Sequence, residues 1–205
     1  MPLAHEIDQV APGIFIWQVF DPAVKADLFS TALETAAGAY LIDPVGLTEE
    51  ALNSLEARQN ISGIVVTNEN HEREARRLAE RFAVPIYVHT EAGGALALPR
   101  TIELEDNGEL TPGLSALAIE GAPTGELALY YDTGGGTMIV GDALINFEPY
   151  GFALLPAKYC RDFKRMRRSL RKLLDYPFER MLFAHGMPIL SRARERLEQL
   201  LASNH

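Results

Sequence analysis

The sequence predicts an α/β sandwich, two β-sheets packed together with helices on the outside. Three observations carry this expectation. Strand-like apolar runs fill the first third of the chain: GIFIWQVF (13–20), DLFSTALE (27–34) and GAYLIDP (38–44). The middle alternates strand and helix patterns, which makes part of one sheet parallel. A second set of strand runs follows, LSALAIEG (114–121), ELALYYD (126–132) and GTMIVGDALI (136–145), before further helical patterns. At 205 residues, one domain spanning 1–205 is the expected count.

The first three runs are separated by small residues that suit turns. TEEALNSLEA (48–57) reads as a helix with Thr48 as N-cap and Ala51, Leu52 and Leu55 on one face. SGIVVT (62–67) is continuously apolar, as a strand covered on both faces is. The spacing of Ala75, Leu78, Ala79 and Phe82 predicts a helix over 70–82, and VPIYVH (84–89) returns to strand. EAGGALALPR and EDNGELTPG read as loop with turn signals. DTGGGT (132–137) reads as a hairpin-type connection, because glycine tolerates positive φ. Residues 158–174 read as one basic amphipathic helix with Phe163, Met166, Leu170 and Leu174 turned inward. ERMLFAHG (179–186) is the last strand run and SRARERLEQLLA (191–202) the closing helix.

Composition bounds the partners. Hydrophobic residues make up 47% and charged residues 23%, a globular balance with enough apolar matter for a core. A net charge of −9 repels phosphate backbones and argues against nucleic acid. The exception is local: Lys158, Arg161, Lys164, Arg165, Arg167, Arg168, Arg171 and Lys172 crowd one stretch. The commoner use of such a stretch is a solvated outer helix. No apolar run approaches the ~18–20 residues of a membrane helix. MPLAHEIDQVAPG has neither a basic start nor an apolar signal region, so the expected compartment is the cytoplasm, with no membrane partner. The lone Cys160 excludes an internal disulfide and is a poor candidate for a catalytic thiol. An unidentified small molecule is the expected partner, and a homo-oligomer is allowed.

The informative polar residues lie just past strand runs. Asn68, Asn70, His71, Glu72 and Arg73 follow 62–67, Asp142 follows TMIVG, and His185 follows RMLFA. Sheets hold such loops rigidly while the loops supply chemical groups. Carboxylate oxygen and imidazole nitrogen together suit zinc, iron or manganese.

Several stretches in order carry a resemblance: GAYLIDP, the strand ending in Thr67 with its following helix, VPIYVHTEA, EGAPTGELALYY, TMIVGDALI, SLRKLL and MLFAHG. Together they resemble the metallo-β-lactamase-fold superfamily, which includes β-lactamases, hydroxyacylglutathione hydrolases, lactonases and nucleases. The resemblance implies a four-layer αββα sandwich of two mixed sheets with outer helices. It also implies a metal motif, Thr-His-x-His-x-Asp-His, where this chain reads Thr67-Asn68-Glu69-Asn70-His71-Glu72-Arg73. Asn68 and Asn70 stand at former ligand positions, as does Ala122 in the later Gly121–Gly125 turn. Asp142 and His185 match the bridging aspartate and the last histidine.

Amides are weak zinc ligands and alanine is none, so at most one ion is expected. One reading is a metal-dependent hydrolase of an ester, thioester, lactone or phosphodiester. His71 then turns inward to ligate with Asp142 and His185, and Glu72 and Asp142 are the catalytic candidates. An ion there brings a bound water's pKa toward ~7. The other reading is a metal-free, non-catalytic member that binds a ligand or partner. Arg73, a permanent cation with donors only, then plugs the site between Glu72 and Asp142.

Overall fold

The computed structural model describes residues 2–23 and 25–203. Seven strands form the first sheet in chain order: β1 (Asp8–Ala11), β2 (Ile14–Asp21), β3 (Ala26–Thr35), β4 (Gly38–Ile42), β5 (Ile61–Val65), β6 (Ile86–His89) and β7 (Thr101–Leu104). The pairs from β1 to β4 are antiparallel, and those from β4 to β7 are parallel. Parallel neighbours need crossovers. Helices α1 (Glu49–Arg58), α2 (Ala75–Phe82) and α3 (Thr90–Leu96) supply them.

The second sheet contains β8 (Gly108–Thr111), β9 (Leu114–Ala118), β10 (Leu127–Tyr131), β11 (Thr137–Val140) and β14 (Arg180–Phe183), in the order β14-β11-β10-β9-β8. Only β11 and β14 run parallel. Strands β12 (Leu144–Phe147) and β13 (Gly151–Leu154) form a separate hairpin. Helices α4 (Phe163–Ser169) and α5 (Ala193–Ala202) lie among the apolar residues of the second sheet's outer face.

Strand alternation sorts the core into three layers. In β2, Ile14 and Ile16 join Phe29, Leu33, Leu114 and Leu129 between the sheets. Phe15, Trp17 and Val19 of the same strand face the other way, among Leu52, Leu55 and Leu78 of the helices. Beyond the second sheet, Met138, Val140, Met181 and Phe183 pack with Met166, Leu170, Leu197 and Leu201. Three apolar layers between helices, sheet, sheet and helices make the expected αββα sandwich.

Several boundaries differ from the sequence expectation, each for a physical reason. The helix expected over 70–82 begins at Ala75, because Arg73 takes a left-handed φ of 42° that a helix cannot contain. The stretch expected as loop from Glu91 holds α3, capped by the His89 side chain accepting from Glu91 N–H, and then two short strands. The run 136–145 is split after Val140, and the break carries Asp142. The basic stretch 158–174 is a short 3-10 turn, then α4, then a second 3-10 segment rather than one helix. The 132–137 connection does join antiparallel strands. Gly136 closes it at φ 78°, where a Cβ would stand 2.1 Å from the Pro177 carbonyl oxygen.

Trp17 ties the first sheet to the loop that leaves β4. Its ring is 2% exposed, and its indole N–H donates to the Val45 carbonyl at 3.0 Å. Trp17→Phe keeps most of the apolar contact but strands that buried carbonyl. It is expected to lower unfolding free energy by about 1–3 kcal/mol. Urea unfolding followed by far-UV circular dichroism checks this, with the folded spectrum unchanged.

Candidate metal centre

The polar centre forms where strands of both sheets end at one edge. Asp43 follows β4 with a left-handed φ of 46° and is 2% exposed. Its carboxylate cannot remain unpaired there. Oδ1 accepts the Thr67 backbone N–H at 2.8 Å, and Oδ2 accepts the Thr67 hydroxyl at 2.6 Å. Oδ2 also lies 2.9 Å from His71 Nδ1.

His71 arrives in the irregular turn after β5. Its N–H bonds the Asn68 carbonyl at 3.1 Å, and the Ala75 N–H bonds the Glu72 carbonyl at 2.8 Å. This turn buries the ring to 3% exposure. With Nδ1 on Asp43, Nε2 is turned toward Asp142 Oδ1 at 3.2 Å.

Asp142 and His185 meet because of strand register. Val140 of β11 pairs with Phe183 of parallel β14. Two residues further along each strand, the chain carries Asp142 and His185. His185 Nε2 lies 3.1 Å from the same Asp142 Oδ1. The ligating atoms of His71, Asp142 and His185 all fall within 4.8 Å of one another.

The charges follow from this packing. Burial presses the His71 imidazolium down, but Asp142 and Asp43 outweigh it and raise its pKa to about 10. Burial favours the neutral acid at Asp142, yet His71 and His185 hold it well below the usual carboxylate range. Asp43 behaves likewise: burial is overcome by His71 and Arg73. Burial lowers His185.

Two groups not singled out from sequence complete the centre, Asp43 and Glu126. Both had a signal: each is an acid abutting an apolar strand run, in GAYLID and ELALYY. Glu126 is 2% exposed. Burial and the Asp142 charge push its carboxyl up to about 8.

The other candidates fall outside this cluster. Glu72 pairs with Arg76 at 3.3 Å on the surface, so it reaches neither a metal nor a plug. Arg73 turns inward, but it donates to the carbonyls of Phe29 at 2.6 Å, Asp43 at 2.8 Å and Ala184 at 3.3 Å. Its cation therefore stitches backbone and attracts the aspartates from behind, and the expected Arg73–Glu72–Asp142 cluster is not formed. Asn70 is exposed, Ala122 is buried at 1%, and Asn68 faces inward with its nitrogen. Phe152 packs on Phe183, whereas Phe147 and exposed Tyr150 stack edge to face at 5.6 Å. That hairpin borders the centre through the Asn146–Gly186 bridge.

Cys160 is partly buried, and burial pushes its thiol up to about 11, which suits a structural thiol. Much of the basic stretch is matched by acids: Arg161 with Glu91, Arg165 with Glu120, and Lys172 with Asp106. No helix among the described residues is long and apolar enough to cross a membrane.

A family model described as the metallo-β-lactamase superfamily matches residues 8–204. The chain belongs to that superfamily. Metallo-β-lactamase DIM-1 superposes with a TM-score of 0.77 at 12% identity, covering 98% of this chain and 97% of that one. A metallo-β-lactamase from Pontibacter korlensis gives 0.75 at 15%, covering 97% and 99%. A metallo-β-lactamase family protein from Thermus thermophilus gives 0.67 at 21%, covering 95% and 80%. At these identities the likeness is one of fold. No curated protein matches the chain.

Metallo-β-lactamase superfamily membership supports a hydrolase, and the superfamily typically binds metal. The donors here fit one ion. Two imidazole nitrogens and a carboxylate oxygen converge, and the far nitrogen of His71 is held by a carboxylate, as metal-bound histidines require. At the other positions of the motif, Asn68 presents N–H donors, Asn70 faces out and Ala122 carries no ligand atom.

Two outcomes follow. Arg73→Ala removes one donor from three carbonyls, of which that of Asp43 keeps the Ser30 hydroxyl and that of Ala184 keeps the Phe29 N–H, and it removes a cation facing buried carboxylates. It is expected to cost about 3–5 kcal/mol in chemical denaturation. Stability of metal-free protein should also fall as pH rises above 6.5; below that value the lowered pKa of His185 acts in the opposite sense. His71 holds its contribution in full below its free value of 6.5 and loses it as pH passes about 10. Glu126 acts in the same sense between 4.5 and about 8. Asp43 and Asp142, depressed below 3.8, lose theirs only in acid. Thermal melts of chelator-treated protein check this, and His71→Gln should flatten the alkaline arm.

Proposed function

We propose that this chain is a metal-dependent hydrolase with a single ion, zinc, iron or manganese, held by His71 Nε2, Asp142 Oδ1 and His185 Nε2. The observation that supports it is the convergence of those three atoms within 4.8 Å, with His71 aimed by Asp43. Three protein donors leave a coordination position open, the pattern of catalytic rather than closed structural sites. When bound, such an ion supplies Lewis acidity and brings the pKa of a water toward ~7.

The chain's own residues prepare that chemistry. Asp43 accepts a hydrogen bond from His71 Nδ1–H, which leaves Nε2 as the nitrogen free to ligate. Arg73 balances the buried aspartates without occupying the centre. Exposed Tyr150, stacked on Phe147, and exposed Met187 lie on the two segments joined by the Asn146–Gly186 bridge, next in the chain to His185, and offer apolar surface for the non-reacting part of a substrate. The substrate class in this reading is an ester, thioester, lactone or phosphodiester.

A second reading is favoured by one observation. His71 is bonded to both aspartates, 2.9 Å from Asp43 and 3.2 Å from Asp142, so a protonated ring can itself supply the cation. The protein is then a metal-free binder of a small molecule or a partner, a second copy of the chain included.

Metal analysis separates the two. Protein purified without added metal is expected to carry close to one ion per chain, and Asp142→Ala and His185→Ala to lose it. Ligation needs His71 without its Nε2 proton, so zinc binding should release protons and tighten as pH rises from 6.5 toward about 10. Hydrolysis of an ester, thioester, lactone and phosphodiester panel should stop on chelation and return with metal. A chain that takes up no ion on reconstitution, with no metal-dependent turnover, overturns the first reading.

A further inference from the structure

Asn68 sits at the end of β5, wholly buried, and every polar atom of its side chain has a destination. Oδ1 accepts the Asn70 backbone N–H at 2.9 Å. That contact decides which way the amide faces, because a flipped amide would set its NH2 against that N–H. Nδ2 therefore points into the centre. It donates to Glu126 Oε2 at 2.7 Å and to Asp142 Oδ2 at 3.2 Å, with His71 Nδ1 a looser neighbour at 3.4 Å.

Glu126 is fixed from its other side. Its Oε1 accepts the Ala143 N–H at 2.8 Å. Gly141 makes room for this: a Cβ there would lie 2.5 Å from Thr67 Oγ1 and 2.9 Å and 3.0 Å from the two Glu126 oxygens. The Asn68 amide nitrogen is thus a neutral clamp between two carboxylates, and Glu126 is its anchor.

We propose that Asn68, anchored by Glu126, is a positioning residue for Asp142. Asn68 takes Oδ2 of Asp142 and so turns Oδ1 toward both His71 and His185. The functional meaning rests on the reading of these three residues as a metal centre; the geometry does not. Carboxylates that ligate are commonly held by such outer hydrogen bonds, and losing one typically costs 10–100-fold in metal affinity. A residue at a former ligand position has become the group that orients a remaining ligand.

An exchange of chemistry tests this apart from folding. Asn68→Asp combined with Glu126→Gln re-forms an amide–carboxylate bond between the two positions. It also keeps acceptors for the Asn70 and Ala143 N–H groups. It replaces the donor to Asp142 Oδ2 by a carboxylate oxygen, so Asp142 loses that hydrogen bond and meets a like charge instead. The exchanged protein is expected to fold but to melt below the parent, because the carboxylate introduced at position 68 faces Asp142, while cobalt(II), added alone and followed by its visible absorption, binds about 10–100-fold more weakly. In metal-free protein the imidazole ¹⁵N–¹H signal of His185, which is bonded to Asp142 Oδ1, should shift, a change that a merely structural bond between positions 68 and 126 would not produce; His71, a direct neighbour of position 68, does not discriminate. Parental cobalt affinity together with an unmoved His185 signal would overturn the proposal. If cobalt binds neither protein, the metal reading fails, and the His185 signal still decides the positioning. Should the exchanged protein not fold, the parent decides: the Asn68 side-chain N–H protons are expected to exchange slowly, and exchange at the rate of exposed amides sinks the clamp.

Discussion

The ring of His71 stands between the carboxylates of Asp43 and Asp142, and the rest of the sheet edge is arranged around that contact. Charges buried together must be matched, since an isolated ion in a protein interior costs far more than one salt bridge returns. Asp43 and Asp142 bring negative charge; His71 and Arg73 bring positive. Glu126, beside Asp142, is pushed toward its neutral form by the same need. Because Arg73 spends its hydrogen bonds on carbonyls, it adds charge without closing the space in front of the histidines. This division keeps the ligating face of His71 and His185 available.

The same contact explains the local backbone. His71 reaches the centre only because residues 68–74 depart from the helix that their spacing suggests. The left-handed residues at Asp43 and Arg73 lie on the two segments that carry the paired groups. Non-glycine residues at positive φ are uncommon and tend to collect where surrounding structure over-determines them. Here the over-determination is visible: Thr67 satisfies the carboxylate of Asp43 twice, and Arg73 bridges carbonyls of three separate segments.

Much of this was legible in the sequence, and the failures have causes. The strands of both sheets, the Thr48 cap and the likeness of context around Asp142 and His185 follow from alternation, cap chemistry and strand-end position. The contact between them comes from β11 and β14 being parallel neighbours in register, which the strand-end pattern does not announce. The helix α3 was hidden by its glycines and alanines, where propensity and turn signals favour a loop and tertiary packing overrides them. The split of 136–145 was hidden because a site residue interrupts an otherwise strand-like run. Asp43 and Glu126 do not stand out in the sequence because an acid beside an apolar run reads as an ordinary strand terminus. Glu72 was chosen on motif position alone, and a single left-handed residue was enough to send it outward. The fold tolerates such divergence because its three apolar layers need only alternation and volume, whereas the centre depends on individual atoms.

The pairing of Val140 with Phe183 has a consequence in time as well as in space. His185 belongs to the last strand of the second sheet, and its partners were laid down far earlier in the chain. Contacts of such long sequence separation close late, after loop-closure entropy has been overcome. Side chains alternate sides along a strand, so β14 placed one residue out of step would turn His185 away from Asp142. The centre therefore cannot exist in a partly folded chain or a misregistered one. A ligand held there would act as a checkpoint, gripping only molecules in which the first sheet and the final strand have both arrived in step.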